Sequence, residues 1–479
     1  MLGGLRSLSS FAALSVRAPS PLGSTEARSL PGGVTTREHR LSVPLNYASP
    51  ADAKIDLFVR EVVKTDKKND PLPYLLFLQG GPGFPSPRVG SPPSGWMRAA
   101  IDKYRVLLLD QRGTGQSSPA SCQVLRAMDS PASQAAYLAC FRADSIVRDC
   151  EAVRAKLARG SKLSLLGQSF GGFVILSYLS LYPDAIERAL FTFGLAPVGV
   201  DIDEVYAATF KRMEMRNARY YRRYPEDVEL IRSLVRRLDE APEPLPRGGT
   251  LTARRFLQLG LLLGSASGFE SLHDLLELAR VPTSPPAPRA SRASEPPTPD
   301  LPENFLLAVE NAQAGFETNP LYWLLHESIY CDGPGKASRW SAERVQASLG
   351  SAWDHTTRLA VGDAPVQLTG EMVYSWMCED YAWLRPLGRA AQLLAEKADW
   401  PALYDEAALR SGTAPCAALV SYDDIYVERA FSERTAALLG DGRCRAWVTN
   451  EFQHSGLRDD PSVFDKLVAM SKGDLNIPS

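Results

Sequence analysis

Apolar residues along this chain gather in short runs that stop abruptly at glycine. Tyr74–Leu78 ends at Gln79-Gly80-Gly81-Pro82-Gly83, and Arg105–Leu109 ends at Asp110-Gln111-Arg112-Gly113-Thr114-Gly115. Leu163–Leu166 ends at Gly167-Gln168-Ser169-Phe170-Gly171-Gly172, and Ala189–Phe193 ends at Gly194. Runs of this length, bounded by glycine and proline, suit strands buried on both faces of a parallel sheet. Ile55–Val63 alternates as a further strand, and Asp66–Pro73 reads as a polar turn. Ala143–Arg159 spaces Ile146, Val147, Cys150, Val153 and Leu157 as one helical face, and Phe173–Leu181 carries the third run on as a helix. Strands alternating with helices predict a parallel sheet with right-handed crossovers, and such sheets bind ligands at the carboxyl ends of their strands.

From about Asp201 to Tyr404 the pattern changes to long charged helical stretches, Lys211–Arg223 and Val228–Leu238 among them. Within it, Val281–Pro302 is dense in proline, serine and alanine and reads as a flexible insertion, residues 281–302. The parallel pattern resumes with strand Cys416–Ser421, helix Ser432–Leu439, strand Arg445–Thr449 and a closing helix, Pro461–Met470. The expectation is one α/β core, residues 35–200 and 406–479, interrupted by a helical cap at 201–405.

Composition narrows the function classes. The 479 residues are enough for one large core and an inserted domain. A net charge of −2 gives no global reason to expect nucleic acid or an anionic membrane as partner. No apolar run reaches the length of a membrane span. Seven cysteines, an odd number with no Cys-x-x-Cys pair, read as buried thiols rather than a disulfide framework or metal site. Residues 1–34 stand apart: Arg6, Arg17 and Arg28 lie among serines, and Glu26 is the one acid before Glu38. That composition reads as a chloroplast or mitochondrial transit peptide, or else as the disordered start of a cytoplasmic chain, with folded sequence from Thr35.

Chemistry gathers at the glycine-rich strand ends. Gly167-x-Ser169-x-Gly171, with a strand before and a helix after, matches the nucleophile elbow of the α/β-hydrolase fold. The turn lifts the serine hydroxyl clear of the sheet at a helix N-terminus, where developing negative charge is favoured. Serine needs a base, and in this fold the order is Ser, Asp or Glu, His. Of five histidines, His39 precedes the serine, while His273, His326 and His355 fall in the cap region. Only His454 follows the last strand. The orienting acid should follow strand Cys416–Ser421, where Asp424 is favoured over its neighbour Asp423, with Glu428 third. The oxyanion donors expected are the backbone amides of Phe170 and Gly81, with Gly80 as alternative. Asp110–Ser117 lacks the Lys-Ser/Thr pair of a phosphate loop and reads as structural, with Asp110 and Arg112 bridging loops.

Gly80–Gly83, Asp110–Ser117, Gly167–Gly172, Tyr422–Val427 and Trp447–Arg458 together resemble the proline iminopeptidase family of α/β-hydrolase serine peptidases. The likeness runs from about Leu72 to Lys466, apart from the proline-rich insertion. Gln79 stands where the best-known members carry histidine, a variant associated with a larger-cap subgroup. The resemblance implies release of an N-terminal residue, often proline, from short peptides with a free N-terminus, without metal or cofactor, and it supports Asp424. It also implies a cap carboxylate that anchors the substrate amine, for which Glu327, Glu371 and Glu379 are candidates, each equally readable as a solvated helix residue. Such an anchor would reject acylated peptides, because an unpaired buried charge costs several kcal/mol. Activity is then expected between the reference pKa of histidine, about 6.5, and that of an α-amine, about 8. Rival readings are an esterase or other small-molecule hydrolase on the same scaffold, and a catalytically inactive binding protein. A dehalogenase or epoxide hydrolase would need aspartate in place of Ser169.

Overall fold

A computed structural model describes residues 22–90, 92–283, 300–440 and 442–475. Residues 1–21 and 284–299 lie outside the described residues, and with them most of the transit-peptide segment and of the expected flexible insertion. The strands are β1 (Gly23–Ser24), β2 (Arg28–Leu30), β3 (Val34–Pro44), β4 (Lys54–Lys64), β5 (Tyr74–Leu78), β6 (Arg105–Asp110), β7 (Leu163–Gln168), β8 (Ile186–Thr192), β9 (Glu243–Pro244), β10 (Thr250–Leu251), β11 (Cys416–Ser421) and β12 (Cys444–Thr449). All but the small cap hairpin β9–β10 form one sheet, ordered β1-β3-β4-β6-β5-β7-β8-β11-β12, with β2 also on β3. From β6 to β12 every neighbouring pair is parallel, whereas β1 to β4 join antiparallel. The expected α/β-hydrolase architecture, a mostly parallel sheet with an inserted helical cap, is what the chain adopts.

The start of the folded chain differs from expectation. Residues 23–30 already pair on β3, so order begins before Thr35. The eleven-residue β3 escaped the sequence reading because Arg37, Glu38, His39 and Arg40 form an unbroken polar run between Val34 and Leu41; it is held by full-length pairing with β4. The central strands behave as their composition dictates: all of β7 and β11 is buried, as suits a sheet covered on both faces. Helix Phe170–Leu181, apolar almost all round, is buried except at its last residue.

The cap is helical. Its longest helix, Ile202–Arg223, is started by the Asp201 side chain, which accepts from the Asp203 amide at 3.0 Å. Acids in its first turn and Arg222 and Arg223 in its last suit the helix dipole. Val205, Tyr206, Phe210, Met213 and Tyr220 make its buried stripe. No helix among the described residues is long and apolar enough to cross a membrane, and no group of His, Cys, Asp and Glu there could hold a metal ion. All seven cysteines are free thiols, five of them buried.

The Asp110–Ser117 loop is structural, as expected. Asp110 accepts from the Ser86 amide at 3.0 Å and the Gln116 amide at 2.8 Å. Arg112 is wholly buried and spends every guanidinium proton: two on Asp149 (2.7 and 2.6 Å), the others on the carbonyls of Leu45, Cys140 and Pro44. Removing one member of such a pair strands the other charge in a dry interior. Arg112→Met should therefore destabilise the fold by about 3–5 kcal/mol, read as a lowered thermal midpoint, and Arg112→Met/Asp149→Leu should recover much of the loss.

Candidate active site

Strand β7 delivers Ser169 at its carboxyl end. The residue sits at φ 54°, ψ −126°, a conformation that an L-residue adopts only under constraint. The constraint is visible. The Ser169 amide donates to the Thr192 carbonyl on β8 at 2.9 Å, and its own carbonyl accepts from the Gly172 amide at 2.7 Å. The helix begun by this turn passes so near β5 that a Cβ on Gly171 would lie 2.0 Å from the Leu78 carbonyl oxygen. Only glycine allows that approach.

His454 and Asp424 meet across two loops. The Asp424 Oδ2 lies 2.8 Å from His454 Nδ1, while Oδ1 accepts from the Tyr426 and Val427 amides at 2.8 and 3.1 Å. Both side chains are nearly sealed from solvent. The sequence left a choice between two aspartates, and the geometry separates them. Asp423 points to the cap, pairing with Arg219 at 2.5 Å and Arg212 at 3.7 Å. Glu428 binds Arg212 and caps helix Arg429–Leu439.

A cavity of about 420 Å³ opens over the carboxyl ends of β5 and β7. Ser169, His454, Gly80 and Gly81 share its wall with Phe84, Phe316 and Tyr322 from loop and cap. Gly81, at φ 133°, and Phe170, the first residue of its helix, donate their amides to no other group among the described residues. Pockets of this size with apolar walls and few polar groups suit small ligands.

The three candidate cap carboxylates go to different places. Glu371 lines the cavity, where it accepts from the Tyr322 hydroxyl at 2.7 Å. Burial pushes its carboxyl up to about 7, against the lowering influence of His454 and the Tyr322 hydrogen bond, while Asp424 adds to the rise. Glu327 is buried and is not part of the cavity wall. It accepts from the Ala342 amide at 3.0 Å, and burial holds it at about 7 despite that bond. Glu379 corrects the sequence reading: it is exposed, bound to Arg254 at 2.5 Å, and no part of the cavity. Arg254, which lies 125 positions away, decides its direction, and no local pattern announces that.

Several site residues went unrecognised in the sequence. Gln168, the variable position inside the elbow, donates to the His454 carbonyl at 3.0 Å and accepts from the Thr192 hydroxyl at 2.9 Å. It ties the Ser169 turn and the His454 loop together. Tyr426 stands edge-on to the His454 ring at 4.7 Å, and its hydroxyl donates to the Leu261 carbonyl at 2.5 Å. Its place two residues after Asp424 was the signal available. Leu261 belongs to a cap segment, Gln258–Gly264, whose last carbonyl accepts the His454 amide at 3.2 Å. Gly264 is pressed so hard on Tyr426 that a Cβ there would fall 2.0 Å from the phenol ring. Arg458 also reaches the cavity.

Comparison with known proteins agrees with this architecture. Residues 73–285 match the family model described as alpha/beta hydrolase fold. A proline iminopeptidase of Aeromonas sobria is 42% identical over 443 residues, covering 92% of this chain and 97% of that protein. A proline iminopeptidase of Aspergillus aculeatus is 36% identical over 462 residues, 92% of this chain and 95% of that protein. A tripeptidyl aminopeptidase of Streptomyces coelicolor is 29% identical over a shorter stretch, 31% of this chain and 33% of that protein. Likeness at this level along nearly the whole length, on a sheet that carries a serine elbow and an Asp–His pair, places the chain in the proline iminopeptidase family of α/β hydrolases.

Proposed function

We propose that this chain is a serine aminopeptidase that releases N-terminal proline from peptides through an acyl-enzyme. The observation that carries the reading is one cavity holding Ser169 on its strained turn, the His454 ring bound to Asp424 at 2.8 Å, and a carboxylate, Glu371, in the wall. In this mechanism His454 takes the Ser169 proton as the hydroxyl attacks the prolyl carbonyl, then returns it to the leaving amine. Asp424 holds the imidazole in the tautomer that keeps its far nitrogen free to accept, and stabilises the imidazolium that forms. The Gly81 and Phe170 amides, unengaged among the described residues, receive the oxyanion. Water then repeats the cycle on the acyl-enzyme.

Glu371 turns a hydrolase into an exopeptidase. Its carboxylate pairs with the substrate's free amine, and a blocked amine would leave the charge unpaired in a largely dry pocket. The test is a panel of prolyl, alanyl, leucyl and N-acetylprolyl amides beside a short-chain ester. Prolyl amide should be cleaved best, with kcat/KM at least about 100-fold above its N-acetyl analogue. Ester turnover without amide turnover would mark an esterase instead.

A pH dependence follows. Since kcat/KM reports the free enzyme, and the Glu371 carboxyl titrates at about 7, amine binding should strengthen as pH rises through 7 and fail once the amine loses its proton above about 8. Glu371→Gln should lose about 100-fold in kcat/KM on prolyl amide and displace the acidic limb of the profile. An unchanged limb would remove Glu371 from the role.

A further inference from the structure

We propose that Arg458 binds the C-terminal carboxylate of the substrate, so that the enzyme is matched to prolyl dipeptides and tripeptides in their free-acid form. This rests on the aminopeptidase reading above and adds the other end of the substrate to it. Arg458 lines the same cavity as Ser169, His454 and Glu371. Its backbone is fixed, since the amide donates to the Ser455 carbonyl at 2.7 Å within the short helix Gly456–Asp459. Its guanidinium is solvent-accessible and makes no ion pair or hydrogen bond among the described residues.

The acids that follow it in sequence are already engaged elsewhere. Asp459 accepts from the Ser455 hydroxyl at 2.5 Å, and Asp460 accepts from the Ser462 amide at 2.8 Å. A cation at the rim of a reactive cavity, with its nearest chain neighbours satisfied, is available for an anion from outside. Its position says which anion. His454 protonates the departing amine, so the strap that carries His454 borders the leaving-group side, and Arg458 lies four residues further along that strap, in helix Gly456–Asp459. Glu371 reaches the same cavity from the cap. The cavity thus carries a carboxylate, which the aminopeptidase reading gives to the peptide amine, and a separate guanidinium on the strap of His454. A short peptide bears the complementary pair, and guanidinium forks match carboxylates well.

The test compares full-length wild type, Arg458→Gln and Arg458→Lys on Pro-Ala and on its C-terminal amide. For wild type, kcat/KM on the acid should exceed that on the amide by about 10-fold, the worth of a charged hydrogen bond at a partly exposed site. Arg458→Gln should lose that factor on the acid alone, chiefly through KM, and keep amide turnover within about 2-fold, which also shows the variant is folded. Arg458→Lys should retain part of the preference, and added salt should erode it in wild type. Equal effects of Arg458→Gln on acid and amide, or a wild type indifferent to the carboxylate, would overturn this proposal alone. A wild type that cleaves neither would overturn the aminopeptidase reading and this proposal with it.

Discussion

Ser169→Ala should lower kcat on prolyl amide by about five to six orders of magnitude and abolish labelling by a fluorophosphonate probe, with the fold intact. The hydroxyl is the only atom removed. The strained backbone at φ 54° is enforced by bonds through the main chain, to Thr192 and from Gly172, and these survive the substitution. Alanine also adds no bulk where the helix crowds β5. Residual turnover would come from the oxyanion amides and substrate binding alone. Thermal midpoint and circular dichroism should match wild type. Retained labelling, or a rate within about tenfold of wild type, would show that the nucleophile lies elsewhere.

Asp424→Asn should cost about 10⁴-fold in kcat, whereas Asp423→Asn should cost far less. The contrast follows from what each carboxylate touches. Asp424 uses one oxygen for the Tyr426 and Val427 amides and the other for His454 Nδ1. In the asparagine variant the carbonyl oxygen satisfies the two backbone donors, so the NH₂ group must face the ring. That donor forces the imidazole proton onto the far nitrogen, which then cannot accept from Ser169. Asp423 instead answers Arg219 and Arg212, and its loss loosens a cap contact without altering the ring's tautomer. Measuring kcat for both variants decides between them; a larger loss at Asp423 would reverse the assignment of the acid.

The core strands were legible because a strand buried on both faces must be apolar throughout and must end where the chain turns. Tyr74–Leu78 and Cys416–Ser421 are adopted to the residue. That Ser169 and His454 would meet at one cavity was legible for a related reason: the fold prescribes a strand end for each, and one serine elbow and one late histidine were on offer. β3 was not, since only its pairing with β4 makes a strand of so polar a sequence. The choice between Asp423 and Asp424 turned on arginines some two hundred residues away. The cap carboxylates were beyond reach for the same reason. Glu371 and Glu379 sit eight positions apart, yet one meets Tyr322 in the cavity and the other Arg254 outside it. Local pattern distinguishes a core strand from a solvent face. It does not say which partner a carboxylate meets.

The segment Gln258–Gly264 has a consequence for how this fold can be rearranged. It holds the Tyr426 hydroxyl through Leu261 and the His454 backbone through Gly264. The cap and the His454 loop are therefore joined through the same few peptide units, and the cap is not an interchangeable accessory. Grafting a relative's cap at the obvious junctions near 200 and 405 would import foreign anchors for the His454 loop, and a bare core would leave that loop without its brace. Any successful transplant has to carry this seven-residue brace along with its matching tyrosine.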